Sequence, residues 1–234
     1  MKTKIFCDSA DFKIIKKFNS NNLVSGFTTN PSLMRKSGAK SYKNYSLRLL
    51  KACPRKPISL EVFADTFDEM EKQAYEINDW GKNVYVKIPV VNSKGYFSGG
   101  VINKLSKKGI KLNITAVYTV NQVKKILKNI NPSSKTIISI FAGRMGDVGK
   151  DPIPIIKKSV HLTKKFKKVK ILWASTREPY NYLQARNCGC SIITIPPSII
   201  YKISKFGKTF QDLTLDTVKK FLKDSKDSNF NIFT

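Results

Sequence analysis

Eight times along the chain a short run of β-branched and aromatic residues gives way to a longer stretch of helical period, and nothing interrupts the rhythm. The strand-like runs are 4–7, 23–27, 58–62, 84–88, 111–117, 136–141, 170–174 and 191–195. The helical stretches between and after them are 11–19, 42–52, 66–80, 96–108, 121–129, 153–166, 179–187 and 197–204, and a last one covers 213–223. Boundary chemistry agrees: Asp8 or Ser9 can cap the first helix, Pro31 and Ser32 suit a helix start, Gly81, Gly109 and Gly189 are stops, and Thr214 caps the last helix. Residues 142–149 read as a Gly-rich loop. Strict alternation implies parallel strands joined by right-handed crossovers. Eight such units predict an α/β fold, a single-domain (β/α)8 TIM barrel over residues 1–234 with an extra C-terminal helix at about 213–224 and a tail at 225–234. A doubly wound open sheet is the alternative. It would carry a Gly-rich phosphate loop after the first strand, and Cys7-Asp8-Ser9-Ala10 is not one.

A barrel of this kind places its chemistry at the C-terminal ends of its strands. Those positions hold Asp8, Asn30, Glu61, Lys87, Asn113 with Thr115, Ser139 with Arg144, and Ser175 with Arg177. Each is polar or charged where a packed strand wants apolar residues. Lys87 ends the run Val84-Tyr85-Val86-Lys87-Ile88-Pro89 and is the only amine of the set. Desolvating an ammonium is costly, so a strand-end lysine either snorkels to water or sits in a pocket where it can act as an amine nucleophile toward a carbonyl carbon. Asp8 and Glu61 are carboxylates suited to moving protons. Asn30, Asn113, Thr115 and Ser139 suit hydroxyl groups. Arg144, Ser175 and Arg177 can hold a phosphate by charge-assisted hydrogen bonds. The set predicts a site for a polyhydroxylated, phosphorylated carbonyl compound.

Composition narrows the partners. The net charge is +27 and the sequence pI about 10.0, with arginine only at positions 35, 48, 55, 144, 177 and 186. Readers of nucleic acid favour arginine for bidentate contacts, and lysines spread through every segment describe a solvated surface, so nucleic acid is not the expected partner. Cys7, Cys53, Cys188 and Cys190 include no pair with metal-site spacing, and the single histidine, His161, falls mid-helix, so no metal or cofactor is expected. Neither a secretory leader nor a long apolar run is present, and the expected location is the cytoplasm, without membrane association.

With these residues in place the chain resembles the transaldolase family, which takes in the short transaldolases and the fructose-6-phosphate aldolase type. The resemblance runs from Phe6 to about Phe221. It is carried by Phe6-Cys7-Asp8-Ser9-Ala10, Gly26-Phe27-Thr28-Thr29-Asn30-Pro31-Ser32, Val84-Tyr85-Val86-Lys87-Ile88-Pro89, Asn113-Ile114-Thr115, Phe141-Ala142-Gly143-Arg144 and Ala174-Ser175-Thr176-Arg177. It implies a Schiff-base transferase of the non-oxidative pentose phosphate pathway. Lys87 matches the Schiff-base lysine, and Asp8 the residue that takes the C4 hydroxyl proton as the C3–C4 bond breaks. Glu61 and Thr115 match the pair holding a catalytic water. Asn30, Asn113 and Ser139 match the binders of donor hydroxyls, and Arg144, Ser175 and Arg177 the phosphate site. Glu61 with Phe141 follows the transaldolase pattern, where the aldolase type resembles a version with Gln and Tyr.

The implied substrates are sugar phosphates such as fructose 6-phosphate and erythrose 4-phosphate, with heptose or amino-sugar phosphates also open. Two other functions stand beside this one: an aldolase that releases free dihydroxyacetone, and a basic barrel that binds nucleic acid without catalysis. The loop 145–150 and the segment 97–100 match no family version. Short members of the family tend to form larger rings with the C-terminal helix reaching a neighbour, which leaves a homo-oligomer open, although a +27 subunit repels its copies at low salt.

Overall fold

Strands of four to six residues close into a single parallel sheet in the computed structural model, which describes residues 3–233. They are β1 (Lys4–Asp8), β2 (Val24–Thr28), β3 (Ile58–Glu61), β4 (Val84–Pro89), β5 (Leu112–Val117), β6 (Thr136–Ile140), β7 (Val169–Trp173) and β8 (Ile192–Ile195). Each pairs in parallel with its neighbour in chain order, and β8 returns to β1 through Lys4↔Ile192 to Cys7↔Ile195. The eight-stranded TIM barrel expected from the alternation is therefore the fold, with eleven helices among the described residues.

The helices are α1 (Phe12–Asn19), α2 (Pro31–Lys36), α3 (Tyr42–Ala52), α4 (Phe67–Asp79), α5 (Gly99–Lys107), α6 (Val120–Asn129), α7 (Ala142–Gly146), α8 (Ile153–Thr163), α9 (Tyr180–Asn187), α10 (Pro197–Ile203) and α11 (Phe210–Ser228). Side chains alternate along each strand between the barrel interior and the helices. Phe6, Ile137, Leu172, Ala174 and Ile192 pack together inside, with Tyr85 and Phe141 against them. The other phase, including Cys7, Val86, Ile88, Ile138, Ile140 and Trp173, is buried too. That accounts for runs that are apolar throughout rather than alternating. Gly26 has a defined task here: a Cβ would stand 2.7 Å from the Phe6 ring, so a side chain on β2 would displace the interior layer.

Several boundaries differ from the sequence expectation, each for a local reason. Asp11, not Asp8 or Ser9, caps α1 through its bond from the Ile14 N–H, leaving Asp8 for the barrel mouth. Helix α5 starts at Gly99 rather than residue 96, because Val91 and Phe97 form an antiparallel bridge and the Asn92 side chain accepts from the Lys94 and Tyr96 N–H groups. The Gly-rich stretch at 142–149 begins with a helical turn, α7, closed by the Met145 N–H to the Phe141 carbonyl, with Met145 buried. His161 lies near the end of α8 and is exposed.

The chain divides into two compact units, one through Ile200 and one from Tyr201 onward. The second contains α11. This helix runs longer than the expected 213–224 and takes in part of the tail expected at 225–234, ending at Ser228. Its cap is Thr209, paired with Asp212 in a reciprocal capping box, while Thr214 sits inside the helix and donates to the Phe210 carbonyl. No residue of α11 is buried.

Candidate active site

Parallel register sets the first contacts. β3 and β4 align Glu61 with Lys87, and β4 and β5 align Lys87 with Asn113 and Pro89 with Thr115. Lys87 is 9% exposed, which excludes the snorkelling alternative. Its Nζ donates to Glu61 Oε2 at 2.9 Å and to the Thr29 carbonyl at 3.3 Å. Tyr42, on α3, fixes the end of β3: its hydroxyl accepts from the Glu61 N–H at 2.7 Å and donates to the Glu61 carbonyl at 3.0 Å. Burial pushes the Tyr42 phenol well above its ordinary pKa, so the group stays a neutral clamp.

On the other side of the mouth β1 and β2 align Asp8 with Thr28. Thr28 Oγ1 donates to Asp8 Oδ1 at 2.7 Å and lies 2.5 Å from Thr194 Oγ1. Burial raises the Asp8 carboxyl above the usual aspartate range; the Thr28 bond and the Lys87 charge oppose the rise, and the Glu61 charge adds to it. On the opposite face of β1, burial and then the Asp8 charge push the Cys7 thiol up to about 12, which leaves it unreactive. Asn113 is fully buried and bonded at both ends of its amide, donating to Ser59 Oγ at 2.9 Å and accepting from Ser139 Oγ at 2.6 Å. Thr115 Oγ1 is buried with no hydrogen-bond partner among the described residues. The Asn30 Oδ1 caps α2 through the Leu33 N–H, so its amide nitrogen is the end left for the cavity.

The basic edge is built by a close backbone approach. A Cβ on Gly143 would fall 1.5 Å from the Ser175 carbonyl oxygen, so only glycine lets α7 meet the end of β7. Ser175 itself has φ +65°, a conformation that non-glycine residues seldom adopt. Arg144 lies with its guanidinium carbon 5.3 Å from the centre of the Phe141 ring. Arg177 is held by Asp147, with Nε donating to Oδ1 at 2.9 Å and Nη2 paired with Oδ2.

These elements enclose a cavity of about 220 Å³. Asp8, Asn30, Lys87, Asn113, Thr115, Ser139, Phe141, Arg144, Ser175 and Arg177 all line it, with Thr28, Ala174, Thr176, Thr194 and Pro196. Glu61 does not line it and reaches it through Lys87. Sequence reasoning missed Thr28, Thr194, Ser59, Asp147 and Tyr42. The period-two spacing of Thr28 and Thr194 on inward strand positions is a usable signal; nothing local marks Tyr42 or Asp147. Among the described residues no three His, Cys, Asp or Glu side chains gather as a metal-binding group.

Comparison with known proteins gives the family and the fold. The family described as Transaldolase/Fructose-6-phosphate aldolase matches residues 5–232. The chain is 34% identical over 224 residues to a "Probable transaldolase" of Dehalococcoides mccartyi, covering 95% of this chain and 98% of that one. It is 32% identical to a "Probable transaldolase" of Nitrosopumilus maritimus, covering 94% of each. Among solved structures it is similar in fold to 3-hexulose-6-phosphate synthase from Salmonella typhimurium, with a TM-score of 0.57 at 13% identity over 86% of this chain and 91% of that one. A sialic acid aldolase from Ruminococcus gnavus gives a TM-score of 0.58 at 12% identity over 82% and 67%. The chain belongs to the transaldolase/fructose-6-phosphate aldolase family, a family of aldolase and transaldolase enzymes acting on sugar phosphates.

Proposed function

We propose that the protein is a transaldolase that moves a dihydroxyacetone unit between sugar phosphates through a Schiff base on Lys87, serving the non-oxidative pentose phosphate pathway in the cytoplasm. One observation carries the reading: the buried Lys87 ammonium faces a cavity that has a carboxyl group on one wall and two arginines on its rim. Glu61, 2.9 Å from Nζ, accepts the ammonium proton and so frees the amine to attack the C2 carbonyl of the ketose phosphate. The carbinolamine loses water. Thr115 Oγ1 holds that water, with Glu61 as the proton carrier, and a protonated imine forms.

Asp8 then accepts the C4 hydroxyl proton while the C3–C4 bond breaks. The bonding pair passes to C3 and into the iminium nitrogen, leaving an enamine on Lys87 and releasing an aldose phosphate. Attack of C3 on an acceptor aldose phosphate takes the proton back from Asp8, and hydrolysis frees Lys87. A carboxyl group raised above the usual aspartate range suits this two-way exchange. Asn30, Asn113 and Ser139 orient the donor hydroxyls, and Arg144, Ser175 and Arg177 hold the phosphate, with Arg177 exchanging Asp147 for the ligand. Glu61 with Phe141 favours transfer over release of free dihydroxyacetone. A steady-state assay with fructose 6-phosphate and erythrose 4-phosphate tests the reading. Formation of a seven-carbon ketose phosphate is expected, and release of free dihydroxyacetone at an equal rate without acceptor contradicts it.

A further inference from the structure

The N-terminal mouth of the barrel, opposite the catalytic cavity, has a chemistry that the reaction does not use. Phe6, Ile137 and Leu172 belong to the interior layer. Side chains repeat with period two along a strand, so Lys4, Lys135 and Lys170, each two residues earlier, fall in the same inward phase at the N-terminal rim. With Lys167 and Lys168 they line a cavity of about 450 Å³ floored by Phe6, Tyr85 and Ile192. An adjoining hollow shares Lys135 and Lys168 and adds Lys111, which stands two residues before the inward Asn113.

No Asp or Glu lines either hollow. Lysines elsewhere do find carboxylates, as Lys43 does with Glu76 and Lys104 with Glu71, but no ion pair among the described residues reaches these six. Burial, and to a lesser degree the Lys135 charge, hold the Lys111 ammonium below the ordinary lysine range, and its Nζ donates to the Lys82 carbonyl. Ammonium groups converging on a concave surface with an apolar floor focus a positive potential. The volume lies within the range of small-molecule sites. The recessed shape suits a compact anion rather than a backbone that tracks along a surface. Lysine serves phosphates as a point charge on a flexible stem.

We infer that this mouth binds a compact, multiply phosphorylated anion, independently of what the catalytic mouth does. The test is calorimetric titration of sodium tripolyphosphate into the full chain at 0.15 M salt and neutral pH. The comparison proteins are Lys135→Gln/Lys168→Gln/Lys170→Gln, the equally discharged Lys219→Gln/Lys220→Gln/Lys223→Gln in α11, and Arg144→Gln/Arg177→Gln. At least a tenfold weakening in the first, with less than a twofold change in the second, is expected, and the arginine variant keeps the binding event that the first lacks. Equal weakening in both lysine variants, or complete loss in the arginine variant, overturns the inference. So does tighter binding of a mixed-sequence single-stranded 20-mer through the same three lysines, which would make the pole a nucleic-acid surface. If the first variant does not fold, tripolyphosphate should protect Lys135, Lys168 and Lys170 of the unaltered chain from acetylation more than Lys219; equal protection refutes the site.

Discussion

At Lys87 the proposed reaction needs a free amine, and the charged group bonded to its Nζ, at 2.9 Å, is the Glu61 carboxylate. In the proposed mechanism that partner is the proton acceptor. Glu61→Gln removes that acceptor, and kcat should fall by about a hundredfold or more, as for loss of a general base. Combined with Phe141→Tyr, it should raise dihydroxyacetone release relative to transfer; an unchanged ratio in a coupled assay contradicts the roles given to both positions.

Asp8 makes a pH-dependent prediction. Its folded carboxyl is raised, so the folded chain keeps a proton that the unfolded chain loses near about pH 3.9. Stability therefore declines as pH rises from that value through the folded one, and at neutrality the raised carboxyl is a net cost. Asp8→Asn should melt at a higher temperature than the unaltered protein at pH 7, with the gap narrowing toward pH 4 while activity is lost. A gap that does not change with pH contradicts this. The strand-end carboxylates, amides and lysine were legible from sequence because each breaks an apolar run. The hydroxyls of Thr28 and Thr194 had only their period-two spacing on inward strand positions to mark them, and Ser59 drew no notice as one more small residue in a strand.

At the scale of elements, the site depends on two joints, one at the Gly143–Ser175 approach and one where α3 meets β3. Gly143→Ala forces a Cβ into the Ser175 carbonyl, and backbone must move. We expect a loss of more than about 3 kcal/mol, or a folded protein whose KM for sugar phosphates rises far more than its kcat falls. Chemical denaturation with steady-state kinetics decides, and wild-type values in both contradict the joint. Tyr42→Phe leaves the Glu61 N–H and carbonyl without their side-chain partner. Its expected cost is about 1–3 kcal/mol with roughly a tenfold fall in kcat, checked by the same two measurements. Strand and helix order was readable from the hydrophobic rhythm. Helix starts were not where a side chain caps a turn just before them, as at Tyr96, held outside α5 by the Asn92 side chain four residues earlier. A contact such as Tyr42 to Glu61 spans 19 residues and leaves no local trace.

Across the whole molecule the net charge of +27 sets the terms. Self-repulsion of that size destabilises the folded chain and is screened by salt. The melting temperature should rise between about 0.01 and 0.3 M sodium chloride, where the Debye length falls from roughly 30 Å to below 10 Å; a flat or falling trend contradicts it. The same field draws anionic sugar phosphates toward the protein, and lysine rather than arginine supplies most of it. The closed barrel was foreseeable from eight uninterrupted strand–helix units, because alternation leaves few topologies. The distribution of charge was not, since the gathering of Lys4, Lys111, Lys135 and Lys170 at one rim exists only once the strands are in register. All of this rests on Lys87 being the nucleophile. The direct measurement is borohydride reduction in the presence of fructose 6-phosphate, followed by peptide mass spectrometry. The prediction is one reduced sugar adduct on Lys87, absent from Lys87→Ala, whose activity falls at least about a thousandfold. No adduct, or the same adduct in Lys87→Ala, would contradict the account.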